Sequence, residues 1–304
     1  KPAGWTSHDV VAKVRGLLRG PKVGHAGTLD PAATGVLPIL VGRGTRIAEY
    51  LLEWDKEYRA VLRLGQTTDT QDATGTVLAT RSLDGLAEEK IRAAIVPFRG
   101  RITQMPPMYS AVKVAGTPLY KSARAGKTVE RDSRTVEIHE LDVLGIAGSD
   151  VTLRVRCSKG TYVRTLCADI GEVLGVGGHL LSLQRTRVGP LTVERALTLD
   201  EVGARVLTGR LADDVLLLDA ALEMMPAVIV DGPTAERVRH GAAVPAGAGR
   251  WASAHPGAPA MVRVKDAAGR LLAVGNMSAG PAGSDMVPGI AIDKVLVDVD
   301  TVSR

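Results

Sequence analysis

One acid stands in a glycine-rich, otherwise nearly uncharged stretch, Gly24-His25-Ala26-Gly27-Thr28-Leu29-Asp30-Pro31-Ala32-Ala33-Thr34-Gly35-Val36-Leu37. An aspartate among Leu, Thr, Ala, Val and Pro is either exposed on a turn or buried and held by a partner. The glycines open backbone angles closed to other residues, and Pro31 fixes one torsion and removes a donor. The segment therefore predicts a loop of defined shape rather than a helix. An ionised aspartate presented by such a loop is a candidate nucleophile or general base. The same residues also fit a turn aspartate that caps the following helix.

Other chemistries find no support in the residue pattern. The histidines (His8, His25, His139, His179, His240 and His255) form no His-Glu-x-x-His pair, and no Cys/His cluster has metal-site spacing. Cys157 and Cys167 are too far apart for a Cys-x-x-Cys motif and too few for a disulfide framework, which predicts a reducing, cytoplasmic setting. There is no Gly-x-x-x-x-Gly-Lys-Ser/Thr loop, and Gly175-Val176-Gly177-Gly178 lacks the strand and spacing of a dinucleotide fingerprint. The His-x-Glu and Pro-Cys-x-x-Cys signature of zinc-dependent base deaminases is also missing. No metal and no cofactor are expected, so side chains alone must carry the reaction.

The charge pattern points to an anionic partner. The chain carries a formal net charge of +5, and between Arg101 and Thr135 seven basic residues face only Glu130 and Asp132. A second group comprises Arg154, Arg156, Lys159, Arg164, Arg185 and Arg187. Basic stretches broken by Gly and Tyr suit phosphate contacts, although a solvated charged face would look the same. Aromatic residues make up only 3% of the chain, too few for a platform that stacks several bases. No apolar run is long enough for a membrane span. The opening Lys1-Pro2-Ala3-Gly4-Trp5 predicts a chain trimmed at its N-terminus rather than a secreted one.

The elements that must position these residues follow from periodicity. His8 to Leu18 has helical spacing, with Ser7 or Asp9 as its cap, and Ile47, Tyr50 and Leu51 suggest a second helix. Lys56 to Leu64, Thr76 to Ala79, Val136 to Leu144 and Asp150 to Cys157 read as strands. Leu86 to Val96, Tyr162 to Leu174 and Asp200 to Leu222 read as helices. Gln104 to Arg131 is polar, basic and proline-marked, an excursion from the core that could order on a partner. Beyond Met225-Pro226 the short strand-like runs at 228–230, 260–264, 271–274 and 294–299 lie between Gly/Pro/Ala-rich loops. The expected fold class is α/β (α+β), a mixed, largely antiparallel sheet flanked by helices, with a small β-rich C-terminal domain. Domains are expected at 1–225, with an insertion at 104–131, and at 226–304.

Several segments resemble, in order and in register, the motifs of the TruB family of tRNA pseudouridine synthases. They are Lys1-Pro2-x-Gly4-x-x-Ser7, the Gly24 to Gly35 stretch, Lys56-x-Tyr58, Leu64-Gly65-x-x-Thr68-Asp69-Thr70-x-Asp72-x-x-Gly75 and Cys157-Ser158-Lys159-Gly160-Thr161-Tyr162-Val163-Arg164-Thr165. Gly177-Gly178-His179 to Leu183-x-Arg185-Thr186-Arg187 resembles the motif that follows. The match covers residues 1 to about 200. It implies a cofactor-free isomerisation of uridine, which agrees with the absences above, at uridine 55 in the T-loop of tRNA.

The resemblance implies Asp30 as the catalytic residue, Arg164 as its cationic partner and Tyr58 stacked on the uracil with its hydroxyl near the reacting ring. Arg164 touching only phosphate, or Tyr58 as a half-buried strand tyrosine, would be the plainer readings. His25 is implied beside the flipped nucleotides, and Tyr162 and Leu183 as lining of the uracil pocket, with ordinary structural roles the alternative for His25 and Leu183. Asp72 is expected to order a loop or the arginine rather than to react. The excursion, with Lys113, Lys121, Arg124 and Lys127, resembles an insertion that clamps the T-arm without a guide RNA. The last domain resembles, more loosely, a PUA-like RNA-binding domain. A monomer is expected. An RNA-binding or tRNA-folding protein without catalysis, or a synthase acting on another RNA, are the rival readings.

Overall fold

The computed structural model describes residues 1–304 apart from 111, 115, 128, 253–259, 279–286 and 298–304, and apart from the side chains of Lys113, Pro118, Tyr120 and Arg124. The backbone divides into two compact units. One comprises 1–40 and 51–204, and the other 41–50 and 205–304.

The first unit is built on a seven-stranded sheet of β1 (Thr34–Gly35), β2 (Lys56–Leu64), β3 (Gly100–Gln104), β4 (Arg134–Ala147), β5 (Asp150–Cys157), β6 (Gly178–Val188) and β7 (Leu191–Thr192). The order is β7-β6-β2-β5-β4-β3, with antiparallel neighbours throughout, and β1 adds to β6 in parallel. This is the mixed, largely antiparallel sheet that the sequence predicts. Alternation makes β5 one-sided: Val151, Leu153, Val155 and Cys157 are buried, while Arg154 and Arg156 lie on the opposite face. The buried face packs on helix α2 (Val163–Val173), whose Val163, Leu166, Cys167 and Ile170 complete the core.

The helix α1 (Ser7–Leu18) buries Val10, Val11 and Val14 in a smaller cluster with Val23. Its cap is Thr6, not Ser7 or Asp9. Thr6 accepts from the Asp9 amide while the Asp9 carboxylate takes the Thr6 amide, a reciprocal capping box that frees Ser7 for another task.

Two further expectations are corrected. The helix over 200–222 is broken: Leu199–Leu207 is helical, Gly209 adopts φ +69°, and only short turns follow at Leu211–Asp214 and Leu218–Ala221. The last strand runs Ile290–Val295 rather than 294–299, of which 298 and 299 lie outside the described residues. It closes the five-stranded sheet of the second unit, whose core gathers Val228, Val230, Val262, Val264 and Leu272. In that unit Tyr50 donates a hydrogen bond to Asp293 and Lys294 pairs with Glu49, fastening the 41–50 segment to this strand. Among the described residues no helix is long and apolar enough to cross a membrane.

Candidate active site

Asp30 sits on a loop whose shape is set from both ends. Ser7 is buried and bonds both main-chain groups of Leu29: its oxygen accepts from the amide at 2.9 Å, and its hydroxyl lies 3.3 Å from the carbonyl. On the far side Gly35, at φ +105°, pairs with Arg185 in β6. A Cβ there would fall 2.1 Å from the Arg185 carbonyl oxygen, so only glycine lets the loop rejoin the sheet. The loop is a fixed arm between α1 and the sheet.

Arg164, in the first turn of α2, meets the carboxylate that this arm presents. Its Nε lies 3.0 Å from Asp30 Oδ2 and its Nη2 3.4 Å from Oδ1, a two-pronged contact. The arginine side chain is 6% exposed, whereas that of Asp30 keeps 42% of its surface open. Arg164 also donates to the Tyr109 carbonyl at 2.8 Å and the Thr70 carbonyl at 3.3 Å, and lies 3.7 Å from Asp72. A guanidinium so committed cannot be a phosphate contact alone. Burial raises the Asp30 carboxyl above the ordinary carboxylate value; Arg164 opposes the rise, Asp72 adds to it, and Lys1 opposes it. A raised value makes the carboxylate a stronger base.

Asp72 is a loop organiser. Its carboxylate accepts from the Thr70 hydroxyl at 2.7 Å, from the Thr74 amide at 2.9 Å and from the Thr74 hydroxyl. The loop is pinned to β6 through the bonds from Leu180 to Gln71 and from Ala73 to Leu180. Gly75 is required there, because a Cβ would meet Asp69 Oδ1 and Thr70 Oγ1 at 2.3 Å.

Tyr58 lies half-buried on the core face of β2, paired in register with Arg185 of β6. Its hydroxyl is pushed up to about 12 by burial, against the pull of Arg185. Leu183 pairs with Ala60 on the same face and packs on the core. Tyr162 caps α2, its amide and carbonyl both held by the buried side-chain amide of Gln104 at 3.0 and 3.2 Å. His25 lies half-buried, and its Nδ1 is enclosed without a hydrogen-bond partner among the described residues. Burial, then Arg185 and His8, lower its pKa and favour the neutral ring.

Asp30 and Arg164 are thus brought into contact, with Tyr58 and Leu183 on adjoining strands. Lys121 and Lys127 are exposed on the excursion, and the side chains of Lys113 and Arg124 lie outside the described residues. The second basic group is largely answered from within. Arg154 pairs with Glu57 and Glu140, Arg156 with Glu140, Arg187 with Glu57 and Lys159 with Glu53, while Arg185 is 1% exposed. Sequence reasoning passed over Ser7, Gln104 and the Tyr109 carbonyl as holders of the site. Among the described residues no three His, Cys, Asp or Glu side chains converge as a metal site.

Comparison with known proteins supplies the remaining observations. Residues 15–163 match the family model described as TruB family pseudouridylate synthase (N terminal domain), and residues 164–226 that of the tRNA pseudouridylate synthase B C-terminal domain. The tRNA pseudouridine synthase B of Burkholderia mallei (strain NCTC 10247) is 49% identical over 282 residues, 92% of this chain and 92% of its own. That of Pseudomonas putida is 45% identical over 283 residues, covering 91% and 90%. The crystal structure of the archaeal box H/ACA sRNP Nop10-Cbf5 complex matches with a TM-score of 0.75 at 28% identity, over 99% of this chain and 85% of the other.

Proposed function

The chain belongs to the TruB family of pseudouridylate synthases, and on that premise we propose that it converts uridine 55 in the T-loop of tRNA to pseudouridine, with Asp30 as the reacting carboxylate. The observation that carries this reading is the grip of the buried Arg164 fork on one edge of Asp30, which leaves the rest of the carboxylate open to a substrate. The isomerisation breaks the N1–C1′ bond, turns the base, joins C5 to C1′ and releases the C5 proton while N1 gains one. Side chains can supply all of this. Asp30 reacts beside ribose and uracil, Arg164 orients it, and Tyr58 stacks on the base with its hydroxyl near the ring.

A uridine stacked in a folded arm must leave the stack to reach Asp30. His25, whose burial favours the neutral ring and whose Nδ1 has no hydrogen-bond partner among the described residues, suits space vacated among flipped nucleotides, and Tyr162 and Leu183 suit the sides of the uracil pocket. The 104–131 excursion, with Lys113, Lys121, Arg124 and Lys127, would clamp the T-arm. Its start is already tied to the site, because the Tyr109 carbonyl accepts from Arg164. No guide RNA is needed, and the C-terminal β-rich domain adds RNA contacts.

The test is tritium release from a T-arm stem-loop labelled at C5 of uridine. Asp30→Asn keeps the shape and removes the charge and basicity. It is expected to fold and bind the stem-loop while releasing no tritium. Turnover within about tenfold of the parent, roughly 1.4 kcal/mol of barrier, would refute a reacting Asp30. Binding without release in the parent itself would favour a non-catalytic RNA-binding protein, and release only from another RNA a different substrate.

A further inference from the structure

The buried Arg185 holds both sides of the Asp30 loop, donating to the carbonyls of Val36, Gly27 and Thr28 at 2.7, 3.0 and 3.4 Å. The other half of the Asp30–Arg164 pair has a separate holder. Arg164 stands in the first turn of α2, whose cap, Tyr162, closes the helix end with no side chain of its own. The first amides of a helix have no partner within it. Here the cap's amide donates to Gln104 Oε1 at 3.0 Å, and Gln104 Nε2 donates to the cap's carbonyl at 3.2 Å. That carbonyl also takes the first helical bond, from the Leu166 amide at 3.0 Å. Gln104 is 1% exposed, and both polar atoms of its side chain are engaged by this one residue. The paired bonds copy a rung of an antiparallel ladder and fix the helix end in direction as well as in place.

Gln104 is also where the basic excursion leaves the sheet. It ends β3 opposite Arg134 at the start of β4, so both arms of the excursion depart from one rung. Just beyond, Arg131 ties the arms together, Nε donating to the Pro106 carbonyl at 2.5 Å and Nη1 to the Val129 carbonyl at 3.1 Å. Further along the first arm the Tyr109 carbonyl accepts from Arg164 Nη2 at 2.8 Å. The neck of the excursion therefore grips α2 twice, at the main chain of its cap and at the guanidinium two residues on. We infer that Gln104 is a positioning residue for the Asp30–Arg164 pair. It sets the helix end from which the Arg164 fork reaches both Asp30 oxygens, and it links that end to the excursion. The inference rests on the proposed roles of Asp30 and Arg164, but its first readout does not depend on turnover.

The chain has five tyrosines, so protein carrying heavy-nitrogen tyrosine gives few amide signals, and that of Tyr162 is assigned by its loss in Tyr162→Phe. In the parent this amide is expected to exchange its hydrogen at least about a hundredfold more slowly than an open chain. Gln104→Ala is expected to speed that exchange at least about tenfold more than it speeds exchange of the Tyr58 amide in β2, which reports global opening. The same variant is expected to lower single-turnover tritium release at least about tenfold, with stem-loop affinity within about threefold of the parent. Added to Arg164→Lys, it is expected to cost less than about threefold more, because the fork it positions is already gone. An unprotected Tyr162 amide in the parent overturns the inference, and this test needs no variant should Gln104→Ala not fold. A full tenfold loss in the Arg164→Lys background, or an affinity that falls with the rate, overturns it as well. If Asp30→Asn proves active while the Tyr162 amide behaves as expected, the functional reading fails and the Gln104 clamp on α2 stands.

Discussion

Replacing Arg164 by lysine separates charge from geometry. Lysine keeps the positive charge but has one nitrogen where arginine has three, so it cannot hold both Asp30 oxygens and also fill the Tyr109 and Thr70 carbonyls. A hydrogen bond to a charged group contributes about 1.5–3 kcal/mol. Asp30 is two-fifths open to solvent, so the lower end applies. Removing two such hydrogen bonds from the transition state costs about 3 kcal/mol, a rate reduction of at least about a hundredfold. The assay is single-turnover tritium release with enzyme in excess, alongside filter binding of the same stem-loop. Affinity is expected to stay near the parent's, because the arginine is too buried to contribute to the RNA surface. A rate within about tenfold of the parent would mean that charge alone suffices and that the fork does not orient Asp30. A loss of affinity matching the loss of rate would return Arg164 to a phosphate-binding role.

Two further outcomes follow from the charges. On the acid side the rate should rise with pH as Asp30 ionises, with a midpoint above the ordinary carboxylate value of 3.8, and Arg164→Lys should move that midpoint higher by weakening the opposing interaction. A parent midpoint at or below that value in a single-turnover pH profile would contradict the enclosed carboxylate. The folded state holds this proton more tightly than the unfolded state, so Asp30 contributes stability at low pH that fades as pH rises through its folded pKa. Replacing Lys113, Lys121, Arg124 and Lys127 together with Ala should weaken stem-loop binding and flatten its salt dependence by somewhat under one log–log unit for each phosphate no longer neutralised, with saturating turnover falling less. An unchanged slope would make these side chains an ordinary solvated face.

What the sequence discloses and what it hides divide along the distance between partners. The Asp30 loop was legible because its glycines, its proline and its single carboxylate lie within one short stretch. So was β5, whose alternation survives intact. Strand β6 carries no clear strand period in its sequence, although it pairs with β7, β2 and β1 in the sheet. Bulges between Leu180 and Ser182 and between Arg185 and Arg187 break its period of two, and a buried arginine stands where an apolar residue would mark the inward face. The internal partners of the second basic group escape a count of charges for a related reason. Glu57 lies 97 and 130 residues from Arg154 and Arg187, and Glu140, though only 14 and 16 residues from Arg154 and Arg156, meets them across the β4–β5 pairing, which a tally along the chain cannot see. The same distance separates the reacting group from its holders. Arg164 stands 134 residues from Asp30, and the Arg185 donors reach carbonyls 149 to 158 residues away. A loop can name its own acid, but the direction in which that acid points is set by side chains it meets only once the sheet has closed.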